Sequence, residues 1–265
     1  MSETAAERAE TAMADALGLI ATTPHLLVAL DFDGTLSQTV DSPQKARALP
    51  EAQAAVLRLA TTAHTSVALV SGRSMESLVE VAQVPDMVLL VGSHGVEYRV
   101  DGASDVQLTA AETEMRGLVH TILDEVAAPY ASVHVEEKPA GFALHTRLAT
   151  DDETSAVLAS ARSRIEAETT GVTERVGKDV LEFAVRSDTK GDAVKHLRSL
   201  TGATAVFFAG DDVTDEDGFL ALAPGDFGLK VGPGETAAAF RVAGPPEIAH
   251  VLDDLVELRE HLGRA

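Results

Sequence analysis

Four short apolar runs, residues 26–30, 67–70, 87–91 and 206–209, constrain this chain most, because each closes on Gly, Ser or Asp. Uninterrupted apolar runs of that length suit strands covered on both faces, the situation inside a parallel sheet. Helical patterns separate them, at residues 50–62 and 74–83 and again at 190–200. The alternation predicts an α/β fold with a doubly wound, Rossmann-like parallel sheet. Such sheets bind ligands beyond the carboxyl ends of their strands, so the polar residues after each run are the ones to inspect.

The pattern changes between about residues 103 and 186. Helical stretches at 110–127 and 153–169 there flank alternating segments at 133–138, 142–147 and 180–185. This predicts an inserted α+β unit with an antiparallel sheet, and hence a core in two parts, residues 1–103 and 187–265, around an insertion at 104–186. A hydrophobic share of 45% is ordinary for a folded protein, and no run reaches the length of a membrane span. Acids outnumber bases 42 to 21, for a net charge of -21, which argues against a nucleic-acid partner. With no cysteine, disulfides, thiolate catalysis and Cys-bound zinc are excluded. Residues 1–19 alternate Ala with charges and lack the apolar stretch of a secretory signal, so a cytoplasmic location is expected. Residues 248–262 read as an amphipathic helix docked on the core.

The first strand runs into Asp31-Phe32-Asp33-Gly34-Thr35. Carboxylates two residues apart at a strand end project the same way, and the glycine lets the backbone turn around whatever they hold. One can attack phosphorus while the other manages protons; a plain turn or helix cap also uses these residue types. Ser71-Gly72-Arg73 follows the second strand, where a hydroxyl and backbone N–H groups at a helix start can cradle a phosphate oxygen, or simply cap the helix. Thr189-Lys190-Gly191 opens another helix with a lysine that the helix dipole disfavours. The run Gly210-Asp211-Asp212-Val213-Thr214-Asp215-Glu216-Asp217 places five carboxylates in seven residues, a set of hard oxygen donors suited to Mg²⁺ or Ca²⁺ unless it is only a solvated loop.

The joint order Asp-x-Asp, Ser, Lys, Asp-Asp resembles the four motifs of the haloacid dehalogenase-like phosphohydrolases. The resemblance implies an Asp31 nucleophile that forms an aspartyl phosphate and an Asp33 general acid/base. It implies that Ser71 and Lys190 hold the phosphoryl group, and that Asp31, the Asp33 carbonyl and Asp211 bind Mg²⁺.

Polar residues alternate in the insertion: Glu136 with Lys138, His145 with Arg147, and Lys178 with Glu182, while Phe142, Leu144, Leu181 and Phe183 take the other positions. With period two these expectations put one polar face on the sheet, either merely solvated or a sugar-binding face of a cap. Ser71-Gly72-Arg73, Gly92-Ser93-His94-Gly95-Val96-Glu97, the segments around Glu136 to Lys138 and Ala143 to Arg147, Gly177 to Glu182, and the acidic run are similar to those of trehalose-6-phosphate phosphatases. That similarity implies hydrolysis of a sugar phosphate, with Gly72, Arg73, His94 and His145 beside the substrate and Glu136, Lys138, Arg147, Lys178 and Glu182 on the sugar. Thr146 stands where the family often has an aromatic residue, and Pro139-Ala140 predicts a different cap loop. Phosphatases of other sugar phosphates, a phosphomutase and a silent sugar-phosphate sensor remain the alternatives.

Overall fold

The structure, a computed structural model, describes residues 5–40, 42–105, 108–177, 179–186 and 188–262. Its centre is β1 (Leu26–Leu30), where all five side chains are buried. Leu26, Val28 and Leu30 enter one hydrophobic cluster, Leu27 and Ala29 the opposite one, as the alternation of a strand requires.

Along the chain the other elements are α1 (Ala5–Ala21), α2 (Pro50–Thr61), β2 (Thr65–Val70), α3 (Met75–Ala82), β3 (Leu89–Gly92), β4 (Glu97–Val100) and β5 (Ala103–Asp105). Then come α4 (Ala110–Ala127), β6 (His134–Lys138), β7 (Gly141–His145), α5 (Asp151–Glu168), β8 (Thr173–Gly177) and β9 (Val180–Ala184). The chain closes with α6 (Lys190–Thr201), β10 (Ala205–Gly210), α7 (Asp215–Leu220), β11 (Phe227–Val231), β12 (Phe240–Val242) and α8 (Pro245–Leu262). Contacts divide it into two compact units, residues 1–104 with 188–265, and residues 105–187.

The core unit carries a sheet of order β12-β11-β10-β1-β2-β3-β4-β5. It is parallel from β12 through β3, and β4 returns antiparallel to β3. Successive strands leave β1 to one side through β2 and β3, and β10 through β12 fill the other, so β1 and β10 flank the switch point. Leu17 and Ile20 of α1, Val56 and Leu59 of α2, Leu78 of α3, and Leu252 and Val256 of α8 cover one face. Val194 and Leu197 of α6 and Phe219 of α7 cover the other. With both faces occupied, only the strand ends present polar groups together.

The inserted unit is an antiparallel sheet of order β6-β7-β9-β8. Phe142, Leu144, Leu181 and Phe183 pack on Val119, Ile122 and Leu123 of α4 and Val157 and Ile165 of α5. Capping boxes start both helices, Thr109 with Glu112 and Thr150 with Glu153, each satisfying end amides that the helix leaves orphaned. Lys138 pairs with Gly141, so Pro139 and Ala140 form a two-residue hairpin turn. One expectation fails here: β7 ends at His145, and Arg147 sits exposed in a turn closed by the Ala149 N–H on the Thr146 carbonyl. Thr146 is buried and its N–H donates to the Asp179 carbonyl in the register of the ladder, and the turn that follows takes Arg147 out of it. Lys178 lies outside the described residues.

No helix among the described residues is long and apolar enough to cross a membrane. In α8, Leu252 is fully buried, whereas Leu258 is 38% exposed. Leu252→Ala should therefore lower stability in urea unfolding by about 2–5 kcal/mol, and Leu258→Ala by no more than about 1 kcal/mol. Equal effects would mean that α8 is not docked as described.

Candidate active site

Asp31 follows β1 and is 4% exposed. Its N–H donates to the Ala209 carbonyl, which fixes the backbone, and its Oδ1 accepts a 2.6 Å hydrogen bond from Lys190 Nζ. Lys190 is the first residue of α6, behind a capping box of Thr189 and Asp192. The ammonium is buried and also donates to Asp215 Oδ1 at 2.7 Å. A lysine unfavourable to the helix dipole is thereby held by two carboxylates instead.

Asp211 completes the cluster, and oxygens of Asp31, Asp211 and Asp215 lie within 4.8 Å of one another. Gly34, at φ 82°, turns the chain against this group, and a β-carbon there would fall 2.0 Å from Asp211 Oδ2. Only glycine fits. Thr35 Oγ1 lies 3.5 Å from Asp211 Oδ1.

The cluster is short of positive charge. Burial pushes the Asp31 carboxyl up to about 8, which Lys190 opposes and Asp215 and Asp211 reinforce. Burial and Asp215 raise Asp211 to about 6. Burial would lower the pKa of Lys190, but Asp31 and Asp215 outweigh it and hold the ammonium above the ordinary lysine range. Asp31 Oδ2 is buried with no donor among the described residues. Both oxygens of Asp215 are engaged, one by Lys190 and the other by the Asp212 N–H at 2.9 Å. An all-oxygen set with an orphaned, buried carboxylate oxygen fits a hard divalent cation.

Asp33 stands apart from the three carboxylates, its two oxygens each taking a 2.5 Å hydrogen bond from Arg73. Arg73 also donates to Ser77 Oγ of α3. Ser71 is buried at the end of β2, where its Oγ accepts from the Arg73 N–H at 3.2 Å. Gly72 lets the His94 ring lie against the backbone, since a β-carbon would meet His94 Cε1 at 2.5 Å. The Ser93 N–H donates to the Arg73 carbonyl and the His94 N–H to that of Ser71. Glu97, 8% exposed, ties these loops together by accepting from the Met75 N–H and the Ser93 hydroxyl.

In the inserted unit Glu136 accepts from Lys138 Nζ at 2.6 Å and pairs with His145 Nε2 at 2.7 Å. Burial would raise the Glu136 carboxyl, but these two partners prevail and hold it below its usual range. Glu136, Ala143, Glu182 and Arg175 line up across the four strands. Glu182 thus shares the polar face with Glu136.

A family model described as trehalose-phosphatase matches residues 29–241, a span that holds each of these residues. The chain belongs to the trehalose-phosphatase family. It is 32% identical over 225 residues to the trehalose-6-phosphate phosphatase of Escherichia coli K12, covering 82% of each chain. It is 34% identical over 252 residues to the trehalose-phosphate phosphatase of Mycobacterium avium, covering 89% of this chain and 63% of that one. This chain thus spans less than two thirds of the mycobacterial relatives it matches. In fold it resembles the C-terminal domain of the Candida albicans trehalose-6-phosphate phosphatase, with a TM-score of 0.71 over 91% of this chain and 95% of that one at 21% identity.

The sequence leaves open whether Asp212 or Asp215 ligates a metal directly, and the structure engages both Asp215 oxygens with Lys190 and the Asp212 N–H. Two further members carry no role in the sequence reading, and Glu97 is an ordinary strand residue until its partners are seen. Lys230 is the only charge in the apolar run of β11 and sits one residue from its end, a signal that the strand-end rule could have caught.

The charge deficit sets a pH dependence. Asp31 holds its proton more tightly folded than unfolded, so the metal-free protein should lose stability as pH rises from roughly 4, the unfolded carboxylate value, toward about 8. Added Mg²⁺ is expected to raise the Tm more at about pH 8 than at about pH 5. An equal rise at both would contradict a cation held by these carboxylates.

Proposed function

We propose that this chain hydrolyses trehalose 6-phosphate to trehalose and phosphate, with Mg²⁺ as cofactor. The observation that carries the reading is the buried Lys190 ammonium bridging Asp31 and Asp215, beside an unpartnered Asp31 oxygen, in a chain of this family.

Phosphate monoesters react extremely slowly unaided, so the protein's task is to position the ester and balance charge around the transferring group. One Asp31 oxygen attacks phosphorus and the other stays available to the cation, while the Lys190 hydrogen bond to Oδ1 fixes the orientation of the carboxylate. The new bond is Asp31 O–P, and the bond to the sugar oxygen breaks. Asp33 gives that oxygen its proton, for which it must exchange Arg73 for the leaving group. Asp33 then takes a proton from the water that attacks phosphorus, and the Asp31 carboxylate and phosphate separate. Ser71 Oγ and the amides around Gly72 and Arg73 receive the phosphoryl oxygens at the start of α3.

Asp31, Asp211 and the Asp33 carbonyl would hold the cation, with Asp215 serving Lys190. Bound there, it would supply positive charge to the phosphoryl oxygens in the transition state. On the inserted sheet, Glu136, held by Lys138 and His145, and Glu182 on the same polar face would meet sugar hydroxyls, with Arg147, in the turn after β7, and Lys178 as the further sugar contacts that the family resemblance implies. Both Asp31 and Asp33 are present, which favours an enzyme over a sensor that needs no acid/base.

Phosphate release from trehalose 6-phosphate should require Mg²⁺ and stop with EDTA. Glu182→Ala should lower kcat/KM for trehalose 6-phosphate about tenfold or more while changing a small aryl phosphate less than about twofold. Equal losses on both esters would mean that the polar face does not read the sugar, and no release from any sugar phosphate would overturn the enzyme reading.

A further inference from the structure

Lys230, in β11, is 3% exposed. Its ammonium donates to the Asp211 carbonyl at 2.6 Å, lies 3.5 Å from the Asp212 carbonyl, and is 3.6 Å from Glu216 Oε1. The other Glu216 oxygen accepts from the Ala237 N–H at 2.8 Å, which ties α7 to the loop after β11. These contacts grip the peptide frame of the acidic loop. The neighbouring strand residues Leu229 and Val231 are buried and apolar, so the strand itself has no use for an ammonium.

We infer that Lys230 is a positioning residue that fixes the Asp211 peptide and so presents the Asp211 carboxylate to the divalent cation. The peptide plane sets the direction of the Asp211 side chain, which must fit against Gly34 and beside Thr35 with little room to adjust. Residues behind a metal ligand tune affinity by holding the ligand's orientation. Lys230 therefore acts on cation affinity and not on sugar recognition. Charge alone makes the opposite forecast, since removing a nearby positive group would tighten cation binding. The sign of the effect separates the two.

The inference rests on the cation reading of the Asp31, Asp211 and Asp215 cluster. The test is Mn²⁺ binding to the metal-free full chain, followed by the loss of the free-ion paramagnetic resonance signal without substrate, for wild type, Lys230→Met and Glu216→Gln. Lys230→Met should weaken Mn²⁺ binding by about 10-fold to 100-fold, and its KM for trehalose 6-phosphate at saturating metal should move less than about threefold. Glu216→Gln, which leaves the lysine in place but removes its carboxylate partner, should weaken binding by about twofold to fivefold and keeps the test decisive if Lys230→Met does not fold. Unchanged or tighter binding in the folded variant would overturn the role of Lys230. Failure of the wild type to bind Mn²⁺ would instead remove the cation reading on which it stands.

Discussion

A single ammonium, that of Lys190, joins two carboxylates at the carboxyl end of the central strand, and the chemistry of the core unit is organised around it. Burying Asp31 and Asp215 without it would leave adjacent negative charges in a medium that solvates neither. With it, Asp31 has one oxygen fixed and the other unpartnered, an arrangement suited to an in-line nucleophile. The fold supplies what this contact needs. Five buried apolar residues of β1 carry Asp31 to the carboxyl end of the sheet, and the capping box of Thr189 and Asp192 fixes the start of the helix from which Lys190 reaches it.

Around that contact the charge is deliberately incomplete. Asp31 and Asp211 are raised because burial and the neighbouring Asp215 charge exceed what Lys190 supplies, and a divalent cation is the natural complement. Arg73 plays a comparable part for Asp33, and Lys230 for the backbone of the acidic loop. The basic residues are few in this acidic chain, yet three of them are spent within one constellation. In the inserted unit a polar row is built from Glu136, Lys138 and His145, in which hydrogen bonds from Lys138 and His145 hold the Glu136 carboxylate in place.

The parallel core was legible because its strands are buried on both faces and so read as unbroken apolar runs; β1 has the bounds that its sequence predicts. Asp31, Asp33, Ser71 and Asp211 stand out for the same reason, as polar residues where such runs end, and Lys190 as a lysine at a helix start that the dipole disfavours. What escaped depends on contacts distant in sequence. β4 reads Glu-Tyr-Arg-Val and is a strand only because it pairs with β3. Arg147 continues the alternation of β7 in sequence, yet the turn closed by the Ala149 N–H on the Thr146 carbonyl takes it off the strand. Asp215 is chosen from five acids by Lys190, 25 positions away, a selection that composition cannot express.

The central claim is that Asp31 carries the phosphoryl group between sugar and water. Rapid acid quenching of the enzyme during turnover of trehalose 6-phosphate with Mg²⁺, followed by peptide mapping, tests it most directly. The account predicts a phosphoryl group on the peptide that contains Asp31, and none in the Asp31→Asn variant. Continued turnover with no labelled peptide, or with the label on Ser71 instead, would contradict it.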